Sequence, residues 1–188
     1  VDEAGRGPLA GPVVAAAVIV PDGWSLDGLN DSKKLTAAKR DGLVQAIHET
    51  SIAWAVGVAT EEEIDRVNIL QATFLAMRRA LEGLKVPPEA VSVDGNKTIP
   101  GVKLPQLAVV EGDGKILSIA AASILAKTHR DRIMTGLDQC WPGYGFGIHM
   151  GYPTPMHLRA LNELGPCPIH RKSFGPVRKR IEELRLDL

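Results

Sequence analysis

Apolar residues along the chain follow two patterns: short runs rich in valine, isoleucine and alanine, and longer stretches with the spacing of an amphipathic helix. Residues 13–20 form an unbroken apolar run that ends at Pro21-Asp22-Gly23, which predicts a buried strand and a turn. Residues 51–59 alternate in polarity, and shorter apolar segments at 91–93 and 107–110 are each followed by a glycine turn. These segments predict three more strands.

Capping residues indicate where several helices begin. Thr36 is placed to cap a helix that runs to about His48, and Thr60-Glu61-Glu62-Glu63 is a capping box whose helix breaks near Asn68. A glycine-rich loop is predicted at 142–147. Helical spacing predicts further helices over residues 69–84, 118–137, 154–164 and 176–186. Because strands and helices alternate, we expect an α/β fold with a mixed sheet and a helical C-terminal extension.

Length and composition fit a single folded domain. The 188 residues are 45% hydrophobic and 23% charged, so we expect one domain with a core over about 1–140 and the extension over 141–188. No apolar run reaches the ~18 residues that cross a membrane, and the chain opens without the pattern of a secretory signal. Two widely spaced cysteines are expected to be reduced thiols. These features predict a cytoplasmic protein with no membrane association.

Charge is balanced over the chain but uneven along it. Lysine plus arginine and aspartate plus glutamate both number 22, yet the segment from Ala126 onward holds ten basic and six acidic residues. That segment has a net charge of +4 and the residues before it −4. A basic face suits phosphate groups and an acidic pocket nearby suits cations. The asymmetry is compatible with a nucleic-acid enzyme, although the zero net charge alone does not favour one.

Four acidic residues fall at predicted strand ends. Asp2 and Glu3 precede Gly5-Arg6-Gly7-Pro8, which ends a strand, while Asp94 precedes Gly95 and Asp113 lies between two glycines. Carboxylates at one sheet edge repel one another unless a cation lies between them, and such hard oxygen ligands suit Mg²⁺ or Mn²⁺. Taken singly, each acid fits a solvated loop carboxylate or a helix cap better than a ligand.

Several longer motifs follow one another along the chain. The first part contains Asp2-Glu3-Ala4-Gly5-Arg6-Gly7-Pro8, Asp31-Ser32-Lys33-Lys34-Leu35, Val93-Asp94-Gly95-Asn96 and Glu111-Gly112-Asp113. The second contains the helix from Ser118 to Lys127 with Arg130-Asp131-Arg132, then Tyr144-Gly145-Phe146, His149, Gly151-Tyr152-Pro153-Thr154 and His170-Arg171-Lys172-Ser173-Phe174. In order and spacing this series resembles the type 2 ribonucleases H, in their bacterial ribonuclease HII form. The resemblance covers nearly the whole chain.

The resemblance implies a ribonuclease H-like fold, with a mixed five-stranded sheet flanked by helices, and a set of catalytic metal ligands formed by Asp2, Glu3, Asp94 and Asp113. Asp131 is an alternative fourth acid, but its place between two arginines favours a salt bridge. The implied reaction uses two Mg²⁺ or Mn²⁺ ions to hydrolyse the RNA strand of RNA–DNA hybrids. It also incises DNA on the 5′ side of an embedded ribonucleotide, leaving 3′-hydroxyl and 5′-phosphate ends. No obligate protein partner is implied.

The same resemblance assigns substrate contacts. Gly5, Arg6 and Gly7 form a turn whose backbone can approach a sugar closely and read its 2′-hydroxyl, and Tyr152 is placed against the neighbouring sugar. Predicted phosphate contacts are Lys33, Lys127 and Arg130. Without the resemblance, the turn fits a plain tight turn, Tyr152 a half-buried core residue, and the last two basic residues a solvated helix face. Residues that complete the first strand normally precede Val-Asp-Glu in the family; here either the sequence is trimmed or that strand is short.

Other functions fit parts of the sequence less well. A nucleotide-phosphate binding module would use the Gly5-Arg6-Gly7 turn, but the chain lacks a Walker-type Gly-Lys-Ser/Thr and a dinucleotide fingerprint. A non-catalytic binder of RNA–DNA hybrids would not need acids at all four positions. A zinc site at His149, His157 and His170 lacks an accompanying cysteine pair or close histidine pairing, so we expect surface or core histidines there.

Overall fold

The sheet and its helices are described over residues 1–29 and 36–186 of a computed structural model. The strands are β1 (Asp2–Ala4), β2 (Val13–Ile19), β3 (Ala53–Ala59), β4 (Val91–Asp94) and β5 (Gln106–Val109). The helices are α1 (Ala37–Thr50), α2 (Glu61–Val67), α3 (Ile69–Glu82), α4 (Leu117–Cys140), α5 (Phe146–His149), α6 (Pro155–Leu164) and α7 (Gly175–Leu186). A 3₁₀ turn, Gly112–Gly114, lies between β5 and α4. The predicted α/β class is confirmed.

Strand β1 joins two pieces of sheet. It pairs antiparallel with β2, which pairs antiparallel with β3, while β4 and β5 pair parallel to each other. The Val1 nitrogen donates to the Ser92 carbonyl at 2.7 Å, and the Asp94 nitrogen donates to the Val1 carbonyl at 2.9 Å. This staggered pattern is that of a parallel pair, so β4 lies beside the start of β1. The ends of β1 and β4 therefore meet at one edge of the sheet.

Strand β2 has an unbroken apolar sequence because helices cover both of its faces. Val13, Ala15 and Ala17 pack in the same buried cluster as α3, whereas Ala16 and Val18 pack with the alanine-rich first half of α4. A strand buried on both faces needs no polar alternation. The small side chains also let both helices approach the sheet closely, which brings α4 next to the end of β1.

Local sequence signals place the helix ends where the capping residues predict them. The Thr36 side chain accepts from the Lys39 nitrogen, and Thr60 and Glu63 form the complete capping box of α2. Asn68 adopts a positive φ of 69° and caps α3 with its side chain, which explains the break between α2 and α3. The predicted loop at 142–147 differs from the structure at its end, where α5 begins at Phe146.

The C-terminal segment folds back onto the loop between β1 and β2. Ala10 bridges His170, the Gly11 nitrogen donates to the Ile169 carbonyl, and Leu9 packs with Leu161 and Val177. These contacts hold residues from the two ends of the chain together around that loop. Within residues 1–29 and 36–186, no helix has the length and apolarity required to cross a membrane.

Candidate active site

Three of the predicted metal ligands meet at the sheet edge formed by β1 and β4. Asp2 and Glu3 lie in β1, and Asp94 is the last residue of β4. We call Asp2, Glu3 and Asp94 the acidic edge. The Glu3 nitrogen donates to the Asp2 Oδ1 at 2.7 Å, and the Gly112 nitrogen donates to the Asp94 Oδ1 at 2.7 Å. The strand ends thus bring together acids that are 92 positions apart in the sequence.

Burial and mutual repulsion perturb the carboxyl groups of the acidic edge. Burial, together with the charges of Glu3 and Asp94, raises the pKa of Asp2 to about 7, although a hydrogen bond with the Ser123 side chain opposes the shift. Burial also raises the pKa of Glu3, and the nearby Arg6 guanidinium opposes that shift. Both carboxyls therefore lack enough positive charge nearby to hold them ionised as easily as in water.

Asp113, the fourth predicted ligand, is buried in the 3₁₀ turn that follows β5. Its neighbour Gly112 approaches Asp94 so closely that an added Cβ would lie 3.2 Å from the Asp94 Oδ1 and 2.6 Å from Cδ1 of Ile119. A glycine at this position allows the turn to pack against the end of β4. Asp113 consequently follows directly after Gly112, whose backbone nitrogen donates a hydrogen bond to Asp94 of the acidic edge.

The acidic edge suits a divalent cation. Within the described ranges, no three Asp, Glu, His or Cys side chains are already arranged as a metal cage. Mg²⁺, however, is commonly bound through only one or two carboxylates and keeps several water molecules. The Glu3 Oε2 is buried and has no hydrogen-bond partner among the described residues. A cation beside this oxygen would satisfy it and would remove the repulsion that raises the pKa of Asp2.

Glu3 separates two clefts. The larger, of about 430 Å³, is lined by Glu3, Ala4, Gly5, Arg6, Gly7, Arg40, Ser123, Ile124, Lys127 and Tyr152. The smaller, of about 150 Å³, includes Asp94, Asn96 and Lys97 on the other side of Glu3. The acidic edge therefore borders a groove with basic side chains on both sides, which is the charge arrangement expected for a phosphodiester chain.

The segment Gly5-Arg6-Gly7, here called the glycine turn, forms one wall of the larger cleft. Gly5 has a φ of +96°, which disfavours any side chain, and an added Cβ would overlap the Arg130 guanidinium. The Arg6 side chain is half-exposed and its Nη1 lies 3.2 Å from the Glu3 Oε1. A methyl group at Gly7 would lie 3.5 Å from Cε1 of Tyr152. The glycine turn and the Tyr152 ring are thus immediate neighbours.

Tyr152 lines the larger cleft, and a hydrogen bond from His157 holds its backbone. The residue is 42% exposed, whereas its carbonyl oxygen accepts a hydrogen bond from Nδ1 of His157 at 2.9 Å. The tyrosine is neither a core residue nor a freely solvated one. Its exposed ring lines the same cleft as the glycine turn.

Arg130 requires a correction to the sequence-based prediction of a phosphate contact. Its side chain is 1% exposed, and the guanidinium donates to the carbonyls of Pro12, Ala10 and Met150 at 3.0, 3.1 and 3.0 Å. Burial lowers the pKa of Arg130 from its ordinary value. A guanidinium enclosed in this way cannot meet a phosphate, so Arg130 holds the loop between β1 and β2 instead.

Lys127 and Asp131 lie on the exposed side of the same helix. The Lys127 Nζ is 2.7 Å from the Asp131 Oδ1, and an Arg40 Nη2 is 3.6 Å from the Asp131 Oδ2. Asp131 is therefore in a salt bridge, as expected, but with Lys127 and Arg40 and not with Arg130 or Arg132, which flank it in the sequence. Lys127 lines the cleft beside the glycine turn, where a phosphate would compete with Asp131 for its charge. Lys33 falls outside the described residues.

Ser123 and Arg171 belong to the site although the sequence analysis assigns them no role. The Ser123 side chain bonds Asp2, and its signal is a polar residue inside the alanine-rich half of α4. Arg171 is 0% exposed, and burial lowers its pKa to about 9, so it stays charged at neutral pH. Its guanidinium donates to the carbonyls of Gly5 and Arg6. Only the three-dimensional fold reveals that contact.

The three histidines lie in the core, where their rings are hydrogen-bonded to protein groups. His157 Nε2 and His170 Nε2 are 3.1 Å apart, and His170 Nδ1 accepts a hydrogen bond from the Cys167 backbone nitrogen at 3.0 Å. His149 Nε2 is 2.8 Å from the Tyr144 carbonyl and must donate to it. Burial and the nearby His157 lower the pKa of His170 to about 4, which keeps it neutral. Cys140 and Cys167 are both free thiols.

Comparisons with known proteins point to one family. The family model described as ribonuclease HII matches residues 1–177. The chain is 59% identical to a ribonuclease HII of Dechloromonas aromatica over 98% of its length and 93% of that protein. It is 58% identical to one of Myxococcus xanthus, over 96% of its length but 62% of that protein. It is similar in structure to the ribonuclease H2 of Pyrococcus horikoshii, with a TM-score of 0.77, 30% identity, and 98% and 96% of the two chains covered.

A more distant structural likeness extends to type 3 enzymes. A ribonuclease HIII solved with Mn²⁺ (Bst-RNase HIII) gives a TM-score of 0.68 at 20% identity, covering 98% of this chain and 69% of that one. At this identity the likeness shows a shared fold.

The chain is also similar in structure to a ribonuclease HII of Archaeoglobus fulgidus that was solved in complex with PCNA. The two are 27% identical with a TM-score of 0.72, and the similarity covers 94% of each chain.

Proposed function

Because the chain belongs to the ribonuclease HII family, a family of endoribonucleases, we propose that it hydrolyses the RNA strand of RNA–DNA hybrids and incises DNA 5′ of an embedded ribonucleotide. The products would carry 3′-hydroxyl and 5′-phosphate ends. The observation that supports this most is that the acidic edge and the glycine turn are neighbours. Glu3 lines both the cleft that contains the glycine turn and the cleft that contains Asp94. One feature suits cations at a scissile phosphate, and the other suits a ribose.

Asp2, Glu3, Asp94 and Asp113 would hold two Mg²⁺ or Mn²⁺ ions. Each of these four carboxylates would supply oxygen ligands to the ions. Bound cations in such a site lower the pKa of water and neutralise charge on a phosphate and its leaving oxygen. The unpartnered Glu3 oxygen and the raised pKa of Asp2 support this assignment. The Mn²⁺ bound by a ribonuclease HIII of the same fold is compatible with it.

The protein's own groups would position the substrate. Lys127 would contact a phosphate from one wall of the cleft, and Lys33 is proposed as a second phosphate contact. Arg6, paired with Glu3 at 3.2 Å, would offset negative charge next to the phosphodiester chain. Backbone groups of the glycine turn would read the 2′-hydroxyl, which both donates and accepts hydrogen bonds. These contacts would hold the scissile phosphate over the acidic edge.

Tyr152 would recognise the sugar beside the ribonucleotide. Its ring is exposed on the cleft side, and its backbone is held by His157. A ring packed on a deoxyribose meets no 2′-hydroxyl, so it would favour a junction between RNA and DNA. RNA–DNA hybrids and ribonucleotide-containing DNA in the cytoplasm are accordingly the proposed partners.

The proposal is tested with a DNA duplex that contains one ribonucleotide, incubated with and without Mg²⁺. We expect one incision on the 5′ side of the ribonucleotide, and no incision when EDTA removes the metal. The matched control is the same duplex with deoxyribose at that position. Cleavage of the control, cleavage without metal, or products with 5′-hydroxyl ends would contradict the proposal.

A further inference from the structure

A buried arginine from the C-terminal segment holds the glycine turn from beneath. Arg171 Nη2 donates to the Gly5 carbonyl at 2.6 Å, and its Nη1 donates to the Arg6 carbonyl at 3.1 Å. The same guanidinium donates to the carbonyls of Gly11 and Pro12 at 2.9 and 3.2 Å. Four carbonyls of one loop therefore converge on a single planar cation.

These hydrogen bonds fix which way the next two amide groups point. In a trans peptide bond the carbonyl and the following N–H lie on opposite sides, and no cis peptide bond occurs in the described residues. With the Gly5 and Arg6 carbonyls directed at Arg171, the N–H groups of Arg6 and Gly7 point away from it. The glycine turn lines the larger cleft and Arg171 does not. We infer that the side of the turn opposite Arg171 is the one that faces the cleft.

The arginine is held as tightly as the carbonyls it binds. Its side chain is 0% exposed and its guanidinium carbon lies 5.1 Å from the centre of the Phe174 ring. A buried charge usually stabilises a protein no more than apolar packing of the same volume would. A planar fork is nevertheless well suited to holding two adjacent peptide groups in one orientation, which a lysine ammonium cannot do.

We propose that Arg171 is a positioning residue for recognition of the 2′-hydroxyl, because it orients the Arg6 and Gly7 N–H groups towards the ribose. The inference rests on the proposed reading of the ribose by the glycine turn. Arg171 touches no substrate itself. Its loss changes how well the protein distinguishes ribose from deoxyribose.

Arg130 provides a matched control from the same structure. It is also a buried arginine, and two of its three hydrogen bonds hold the same loop. Those bonds run to Ala10, Pro12 and Met150, not to the carbonyls of Gly5 or Arg6. Arg171→Lys and Arg130→Lys therefore both weaken the loop, but only the first releases the peptide groups of the glycine turn.

The test measures binding in an Asp94→Asn background, so that cleavage does not interfere. The probes are a DNA duplex with one ribonucleotide and the same duplex with deoxyribose throughout. The readout is the discrimination ratio, the Kd of the all-deoxyribose duplex divided by the Kd of the duplex with one ribonucleotide. Arg171→Lys is expected to reduce this ratio by about tenfold, the equivalent of one hydrogen bond, while Arg130→Lys leaves it unchanged. Thermal unfolding verifies that each variant is folded.

Each outcome distinguishes the inference from the proposed function. No discrimination by the Asp94→Asn parent would refute the proposed reading of the ribose. Discrimination retained in Arg171→Lys, or lost equally in both lysine variants, would overturn the role of Arg171 alone. If Arg171→Lys does not fold, Phe174→Leu keeps the guanidinium but removes the ring beside it. The discrimination ratio is then expected to fall in Phe174→Leu as well, and an unchanged ratio would overturn the inference.

Discussion

The two glycines of the glycine turn are predicted to respond differently to the same added methyl group. At Gly5 the backbone has a φ of +96°, and the new Cβ would overlap the Arg130 side chain and lie 2.9 Å from the Pro12 carbonyl oxygen. At Gly7 the φ is not positive, and the nearest atom would be Cε1 of Tyr152 at an ordinary contact distance of 3.5 Å. The first methyl group strains the fold, whereas the second fills space beside the cleft.

The expected magnitudes follow from these contacts. A left-handed backbone costs an alanine about 1–2 kcal/mol, and displacing a packed side chain costs about 1–3 kcal/mol more. Gly5→Ala is therefore expected to lower the free energy of unfolding by about 2–5 kcal/mol. Gly7→Ala is expected to change it by less than about 1 kcal/mol. Its methyl group crowds the space where the sugar would lie, so cleavage at a single ribonucleotide should fall by about tenfold to a hundredfold.

Urea denaturation followed by tryptophan fluorescence gives the stabilities, and cleavage of the single-ribonucleotide duplex gives the activities. Gly7→Ala serves as the matched control for Gly5→Ala, since both add one methyl group to the same turn. A Gly5→Ala protein as stable as the parent would refute the packing argument. A Gly7→Ala protein that is fully active, or as unstable as Gly5→Ala, would refute the assignment of Gly7 to the substrate cleft.

Three further predictions address the cleft, the basic helix and the histidine core. Tyr152→Ala is expected to reduce cleavage at a single ribonucleotide at least tenfold more than cleavage of a continuous RNA strand, which offers many registers; equal losses would make Tyr152 a structural residue. Lys127→Gln should make the negative slope of log K against log salt for hybrid binding shallower by about 0.9, whereas Arg130→Lys should leave this slope unchanged. The reverse result would restore Arg130 as a phosphate contact. Because the pKa of His170 falls from 6.5 to about 4 on folding, its stabilising contribution is present above pH 6.5 and is lost as the pH falls towards 4. His170→Gln should accordingly show a shallower loss of stability between pH 6.5 and 4 in urea titrations, and a slope identical to the parent's would contradict this.

The strand ends of the site were predictable because local chemistry determines them. Gly95 follows Asp94 and the glycine turn follows β1, so the chain cannot continue as a strand at either place. The sequence does not contain the pairing of β1 with β4, which depends on the two hydrogen bonds at Val1. From the sequence, only the family resemblance implies that the acids lie close together. The fold places Asp2, Glu3 and Asp94 at one edge of the sheet.

Arg130 shows why the remaining contacts escape sequence analysis. In the sequence it stands in the charged second half of α4, where an exposed side chain is the usual expectation. The loop between β1 and β2 covers it, and the Ala10 and Pro12 carbonyls of that loop compensate the buried cation. Arg171 reaches the Gly5 carbonyl across 166 positions of sequence, a contact that no local pattern encodes. Both arginines bind backbone, so no acidic partner in the sequence indicates their burial.

Metal binding by the acidic edge is the feature on which the proposed reaction depends most directly. Mn²⁺ binding is measured by electron paramagnetic resonance, and cleavage at saturating Mg²⁺, for the parent, Asp94→Asn and Asp131→Asn. Asp131 is the matched control because Lys127 already pairs with it at 2.7 Å. We expect Asp94→Asn to weaken Mn²⁺ binding and to abolish cleavage while hybrid binding persists. We expect Asp131→Asn to retain Mn²⁺ binding and cleavage. Near-normal cleavage by Asp94→Asn, or loss of Mn²⁺ binding in Asp131→Asn alone, would contradict metal binding by the acidic edge.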